Sequence, residues 1–221
     1  MLNPKAVLAI GCACWLAACG SDKSAESVSA DITKVNAVKS SFGPEFKVKD
    51  FGKTGIDPKM LSNRKLPEGV KFDPASCSKF ANGQQLPDGT QGNMAAVAAE
   101  GNGNRFITIA LQTSEPVPVT EPRRGCETVK FFEAHVNGVI QAVDAPKIDG
   151  VRTLGVHRVV KAVGKNGQTR AGELYTYSAH FGDYQVIVTA NPLVLPNKPP
   201  AKVDIERAKK LLTDAVAAVR S

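Results

Sequence analysis

Residues 153–190, TLGVHRVVKAVGKNGQTRAGELYTYSAHFGDYQVIVTA, decide the fold. Residues 153–163 are rich in β-branched residues, Thr153 and four valines, which suit a pleated sheet better than a helix. Gly164-Lys165-Asn166-Gly167 turn the chain back towards residues 172–181, and Gly182-Asp183 make a second short turn into residues 184–190. In that last run Tyr184, Val186 and Val188 recur with the period of two that a strand requires. Three strands joined by tight turns form an antiparallel meander.

Downstream, a Pro-rich connection over residues 192–200 leads to Asp204, which caps a final helix. Ile205, Ala208, Leu212, Ala215 and Val219 make one apolar stripe along it, and such a stripe needs a surface to cover. Near the other end, Asp31 caps a short helix in which Ile32, Val35 and Val38 fall three residues apart before Gly43-Pro44 stop it. The expected fold is α+β: a mostly antiparallel sheet with the N-terminal and C-terminal helices packed on one face.

Between these anchors, Phe46, Val48 and Phe51 mark a strand, and residues 54–63 a loop. Asp73-Pro74 is an N-cap and N1 pair for a short helix over residues 74–80. Residues 94–100 and 105–113 are strands joined by Gly101-Asn102-Gly103-Asn104, a hairpin turn. Residues 114–125, SEPVPVTEPRRG, are a Pro-interrupted connection. In residues 128–143, Val129, Phe132, Val136, Val139 and Val143 fit a helix face, but Asn137-Gly138 is a hairpin turn signal. Two strands with the turn at that dipeptide are expected.

The chain begins with a different kind of segment. Lys5 precedes the uncharged apolar run of residues 6–15, and Leu16-Ala17-Ala18 stand directly before Cys19, the layout of a secretory signal. The run is far shorter than the ~20 residues that span a bilayer as a helix. The sequence LAAC followed by Gly20 resembles the lipobox of bacterial lipoproteins. That resemblance implies cleavage of residues 1–18 and a diacylglycerol on the Cys19 sulfur. Cys12 and Cys14 lack a Leu three residues upstream and would cut the apolar run short. Residues 19–30 read as lipidated cysteine and flexible Ser-rich tether, and residues 31–221 as a single envelope domain. The expected location is the outer face of the cell membrane, with the lipid bilayer as partner through the acylated N-terminus.

Lys5 is the one charged residue in residues 1–18, so the remainder carries 27 basic against 21 acidic residues, near +6. These charges come as scattered pairs without a block, which reads as a solvated surface; no nucleic-acid partner is expected. Cys77 and Cys126 are the two cysteines left after Cys19, and an isolated pair in an exported chain is most simply a disulfide.

The sequence has no GxSxG elbow, HExxH, SxxK or P-loop. GNGNRF, residues 101–106, lies between two expected strands and reads as a hairpin. His135, His157 and His180 all fall in expected strands; a three-histidine metal site would need all three on one face, and none is expected. Glu121 and Glu127 would form a carboxylate pair only if folding brought them together. No catalytic residue, metal or cofactor is assigned.

DITKVNAVKSSFGPEF (residues 31–46), YTYSAHFGDYQVIVTANPL (175–193) and VDIERAKKLLTDAVAAVRS (203–221) together resemble a family of uncharacterised exported actinobacterial lipoproteins, best known from mycobacteria. These are broadly similar to the extracellular sensor domain of a mycobacterial serine/threonine kinase, although that domain resembles a two-bridge design and this chain offers one bridge. The resemblance implies an envelope α+β domain with a disulfide and brings no catalytic residues. The functional expectation is a non-catalytic binding or sensor-like module for a hydrophobic ligand, a cell-wall component or an envelope protein. A structural adaptor, or a hydrolase of envelope lipids or glycans, is the alternative. A hydrophobic ligand would call for an apolar cleft between sheet and helices.

Overall fold

A computed structural model describes residues 29–57, 61, 66–67, 69–83, 85–87, 89–164, 167–195 and 198–221. The expected signal, Cys19 and the tether through residue 28 lie outside the described residues, as do Pro58 and the Lys165-Asn166 turn tip.

Among the described residues nine strands form one antiparallel sheet: β1 (Lys47–Gly55), β2 (Lys71–Asp73), β3 (Gly92–Gly101), β4 (Asn104–Thr113), β5 (Thr128–Glu133), β6 (Val136–Val143), β7 (Arg152–Val163), β8 (Thr169–Phe181) and β9 (Tyr184–Pro192). Their order across the sheet is β1-β3-β4-β9-β8-β7-β6-β5-β2. The meander expected from residues 153–190 is β7-β8-β9, with Val163 paired to Thr169 and Phe181 to Tyr184. The β3–β4 hairpin turns at Asn102 (φ 50°) and Gly103 (φ 73°), both in the left-handed region that a two-residue hairpin turn uses.

One face of the sheet carries both terminal helices. The N-terminal element (Ile32–Ser41) is a 3-10 helix, capped by the Asp31 carboxylate, which accepts from the Thr33 N–H at 2.9 Å. Its buried residues Ile32, Val35 and Val38 recur every three positions, the 3-10 period, which puts them on one face where an α-helix would spiral them apart. The C-terminal α-helix (Ile205–Arg220) is capped by Asp204 and buries Ala208, Leu211, Leu212, Ala215, Val216 and Val219. These side chains interlock with Val97, Phe106, Tyr177, Val186 and Val188 from the sheet. The two helices are tied together where Asp31 N–H donates to the Val219 carbonyl at 2.8 Å and Arg207 Nη1 donates to the Ser41 carbonyl at 2.9 Å.

Described residues from outside the two terminal helices cover the other face. Strands β1 and β2 are consecutive in sequence but lie at opposite edges, separated by eight strand spacings of about 4.8 Å each, roughly 38 Å. Residues 74–91 cross back towards β3, and residues 114–127 cross again from β4 to β5. Ile56 and Leu61 of the first crossing pack with Met94, Ala96, Ile109, Leu111 and Ile187. Leu66, Val70, Phe80 and Ala81 pack with Val129, Phe131 and Ile140 at the far side. These three crossings act as straps over the face opposite the helices.

Several expectations are corrected. Residues 128–143 are two strands, but the turn is at Ala134-His135; Asn137-Gly138 lie inside β6, opposite Phe132 and Phe131. A side chain at Gly138 would collide with the Phe131 ring and the Val159 carbonyl, so packing between neighbouring strands accounts for this glycine. His135 accordingly sits in a turn rather than a strand. Phe51 is 42% exposed, unlike Phe46, because its place in the alternation puts it on the other side of the pleat from Val48. Strand β1 runs through Asp50 and Gly52 to Gly55 with a register shift after Phe51. The expected helix over residues 74–80 is a 3-10 turn (Ala75–Cys77) leading into one α turn (Ser78–Ala81), and Asp73 ends strand β2.

Candidate functional site: a trough beneath the straps

Register fixes which side chains meet beneath the straps. Leu154 pairs with Ser178, Val156 with Thr176 and Arg158 with Leu174, so these six project from β7 and β8 on the strap side. Ile140 of β6 pairs with Arg158 and continues the row. Phe80 and Gly83 of the second strap and Thr120 of the third close over them, leaving a small cavity of about 50 Å³. Beside it runs a more open groove of about 500 Å³ walled by Leu66, Pro67, Val136, Val160 and Leu174, with Arg105 and Asn191 at one end. Arg158 and Leu174 line both spaces, which makes one trough with a waist.

Arg158, Arg105 and Glu173 are the charged residues that line this trough, and Arg158 is the buried one. It is 8% exposed, and burial lowers its pKa from the ordinary arginine value. A guanidinium keeps its charge even so, because it starts so far above neutral pH. A Cβ added to Gly83 would stand 3.8 Å from Nη2, which puts the guanidinium directly under the second strap. Arg105 is the other arginine here; it is half exposed and pairs with Glu100 at 2.6 Å.

Ser178 leads from the cavity into a polar cluster. Its Oγ lies 3.1 Å from His180 Nε2, and Gln185 Nε2 is 3.4 Å from the same ring nitrogen. Burial, and after it the Arg152 cation, push the His180 pKa down to about 4, so the ring is neutral at physiological pH. A serine beside a histidine invites comparison with a nucleophile and base. In a working triad a third group orients the histidine through its other nitrogen, and His180 Nδ1 has no hydrogen-bond partner among the described residues.

The other residues singled out from sequence fall as follows. Cys77 and Cys126 form a disulfide, with Sγ–Sγ 2.03 Å and Cα–Cα 5.4 Å, which joins the second strap to the third. The three histidines are not brought together. His157 projects on the helix side, stacked on Tyr175 at 4.0 Å between ring centroids and paired with Glu173 at 3.2 Å, whereas His180 is buried on the strap side. Among the described residues no group of three His, Cys, Asp or Glu is arranged to hold a metal ion. Glu121 pairs with Arg152 at 3.6 Å, and Glu127 accepts from the Gly125 N–H at 2.9 Å. The interface between sheet and helices, where an apolar cleft was expected, is filled by the side chains that interlock there. Sequence reasoning misses the trough and its arginine; the one signal is Arg158 inside the β-branched run of residues 153–163, which also holds Lys161.

Residues 31–220 match a family described as a domain of unknown function, DUF5642. The chain belongs to this family. Its fold is similar to the crystal structure of an uncharacterised protein from Mycobacterium smegmatis, the Rv0999 ortholog. Identity is 60% over 87% of this chain and 98% of that one, with a TM-score of 0.82. The mycobacterial resemblance of the three quoted segments is therefore borne out. The extracellular domain of PknH from Mycobacterium tuberculosis also matches, at 11% identity and a TM-score of 0.37 over 84% of this chain and 89% of that one. No curated protein matches the chain. Among the described residues no helix is long and apolar enough to cross a membrane.

Proposed function

We propose that the protein is an exported lipoprotein of the cell envelope, held at the outer face of the membrane by acylated Cys19, whose domain is a non-catalytic binding module for a hydrophobic ligand. The observation that carries the binding reading is the trough: apolar walls, space of about 500 Å³ in its open part, and one buried cation at its waist. That volume falls within the range of about 300–1,000 Å³ usual for small-molecule sites. Export is supported by the signal-like first 18 residues and by the Cys77–Cys126 bridge, since disulfides persist in oxidising compartments. A diacylated cysteine supplies the two chains that stable attachment needs.

The test has two readouts. Full-length protein should fractionate with membranes and show the added mass of a diacylglycerol, and Cys19→Ser should release it; a mutant that stays with the membrane would overturn the anchor. Lipid extraction of the domain purified from its native envelope should return a stoichiometric amphiphile. Recovery of none, together with no binding across a panel of acyl ligands, would overturn the binding role.

A second reading, an adaptor for an envelope protein, is favoured by the part of the helix-side face that the helices leave bare. There Lys130, Phe132, Val139 and Lys161 border a shallow open depression, and Phe132 is 46% exposed. Crosslinking in the intact envelope should capture a reproducible partner through Lys130 or Lys161 if this reading holds.

A further inference from the structure

We infer that the bare helix-side face over β5, β6 and β7 seats an amphipathic helix of a partner protein, one whose apolar stripe is flanked by acidic residues. This rests on the adaptor reading above and gives the partner its chemistry.

Register lays out the seat. Lys71 of β2 pairs with Phe132, Phe132 with Asn137 and Asn137 with Lys161, so these residues form one row across the helix side. In the next row Lys130 pairs with Val139 and Val139 with Val159. A segment lying along β6 would rest on Phe132, Val139 and Val159, with Lys71 and Lys130 on one flank and Lys161 on the other. At the two ends of that second row stand the acidic residues: Asp73 at the β2 edge, and Glu173, which His157 holds at 3.2 Å. Elsewhere on the surface Lys39, Lys209 and Lys210 each pair with a carboxylate. Among the described residues Lys71, Lys130 and Lys161 have no ion pair. All three are exposed, and cations around the exposed Phe132 ring complement an acidic surface with an apolar centre. Shape points to a helix. The C-terminal helix packs on β4, β8 and β9 and the N-terminal one on β1, β3 and β4. Each rises about 10 Å from the sheet, the diameter of a helix. Strands β5 to β7 are also about 10 Å across, so one more helix beside the C-terminal one completes the layer. A flat bilayer reaching Phe132 would have those helices to clear, whereas a single helix fits next to them.

The experiment uses residues 29–221, which hold the sheet, both helices and the disulfide and so keep the fold without the anchor. The probe is a labelled helical peptide of about 18 residues, as long as β6, with leucines along one face and glutamates on both flanks. Its twin carries lysine for every glutamate, and a scrambled peptide keeps the composition without the stripe. Vesicles of phosphatidylglycerol or phosphatidylcholine present a membrane instead. At low salt the acidic peptide should bind at least about tenfold more tightly than its lysine twin, the sum of several exposed ion pairs, and the scrambled peptide should not bind. Added salt should shrink the difference. Lys130→Glu combined with Lys161→Glu should reverse the preference, and Phe132→Ser should weaken both peptides; these positions are exposed, so the variants fold. Equal binding of the acidic peptide and its twin would overturn the acidic class and leave the adaptor reading standing. Equal binding of the scrambled peptide would overturn the helix. Binding to phosphatidylglycerol vesicles without binding of the acidic peptide would assign the face to a membrane and overturn the proposal. Binding of neither would overturn it too, and crosslinking through Lys130 or Lys161 in the intact envelope then decides the adaptor reading separately.

Discussion

At the scale of single residues, the positions that matter most beneath the straps are polar. His180 is 8% exposed, and burial with the Arg152 cation holds its pKa near 4 against an ordinary value of 6.5. Between those two values the unfolded chain binds a proton at this position and the folded protein does not, so stability falls as the pH drops from 6.5 towards 4 and is level above 6.5. The loss should be at most on the order of 3 kcal/mol. Thermal melts of the unmodified domain and of His180→Gln between pH 4 and 7 would show it: the unmodified domain should lose more of its melting temperature on acidification, and parallel curves would refute the assignment. Residues of this kind were hardly legible in advance. A histidine or arginine in a strand is written the same way whether it faces water or a covered face, and Arg158 and His157, adjacent in sequence, ended on opposite sides of the sheet.

At the scale of elements, the helices behaved as their patterns indicated and the straps did not announce themselves. Alternation with polar residues would mark a sheet with one solvated face, whereas β4 and β9 are buried along most of their length on both faces, and β3 along half of its own. The MAAVAAE and YQVIVTA runs already carried that information, but sequence alone does not say what covers the second face. Straps lack the periodicity of a helix or strand, and they hold position through contacts with the sheet and through the bridge between Cys77 and Cys126, which are 49 residues apart. Opening that bridge should be costly. Chain entropy sets the scale at about 4 kcal/mol for a loop of roughly 50 residues. Replacing both cysteines with serine should lower the denaturation midpoint accordingly, with the largest increase in backbone exchange at residues 74–83 and 120–126. A double variant as stable as the parent would contradict the stapling role.

For the whole molecule, strand order determines where stability is concentrated. Strands β4, β9 and β8 lie inside the sheet with neighbours on both sides, under helices on one face and straps on the other, while β1 and the three-residue β2 are edges. Native-state hydrogen exchange should therefore be slowest in β4, β8 and β9 and approach the global unfolding free energy there, and fastest in β1 and β2. Fast exchange in β9 would contradict the architecture. The same layout separates two surfaces: the trough on the strap side and the bare depression over β5, β6 and β7 on the helix side, so ligand binding and partner docking would not compete for one face.

By itself the sequence determined the elements whose information is local. The β7-β8-β9 meander follows from β-branched runs between short turns, the β3–β4 hairpin from its Gly-Asn-Gly turn, both terminal helices from their aspartate caps and apolar spacing, and the Cys77–Cys126 pairing from the shortage of other candidates. Only the tertiary structure decided that β1 and β2 lie at opposite edges, that the chain must therefore cross the sheet three times, and that Arg158 ends at the waist of a trough beneath those crossings. The physical reason is the range of the interactions involved. Caps, turns and periodicity act over a few residues, whereas strand order and the covering of a face depend on packing between segments tens of residues apart, which no local pattern encodes.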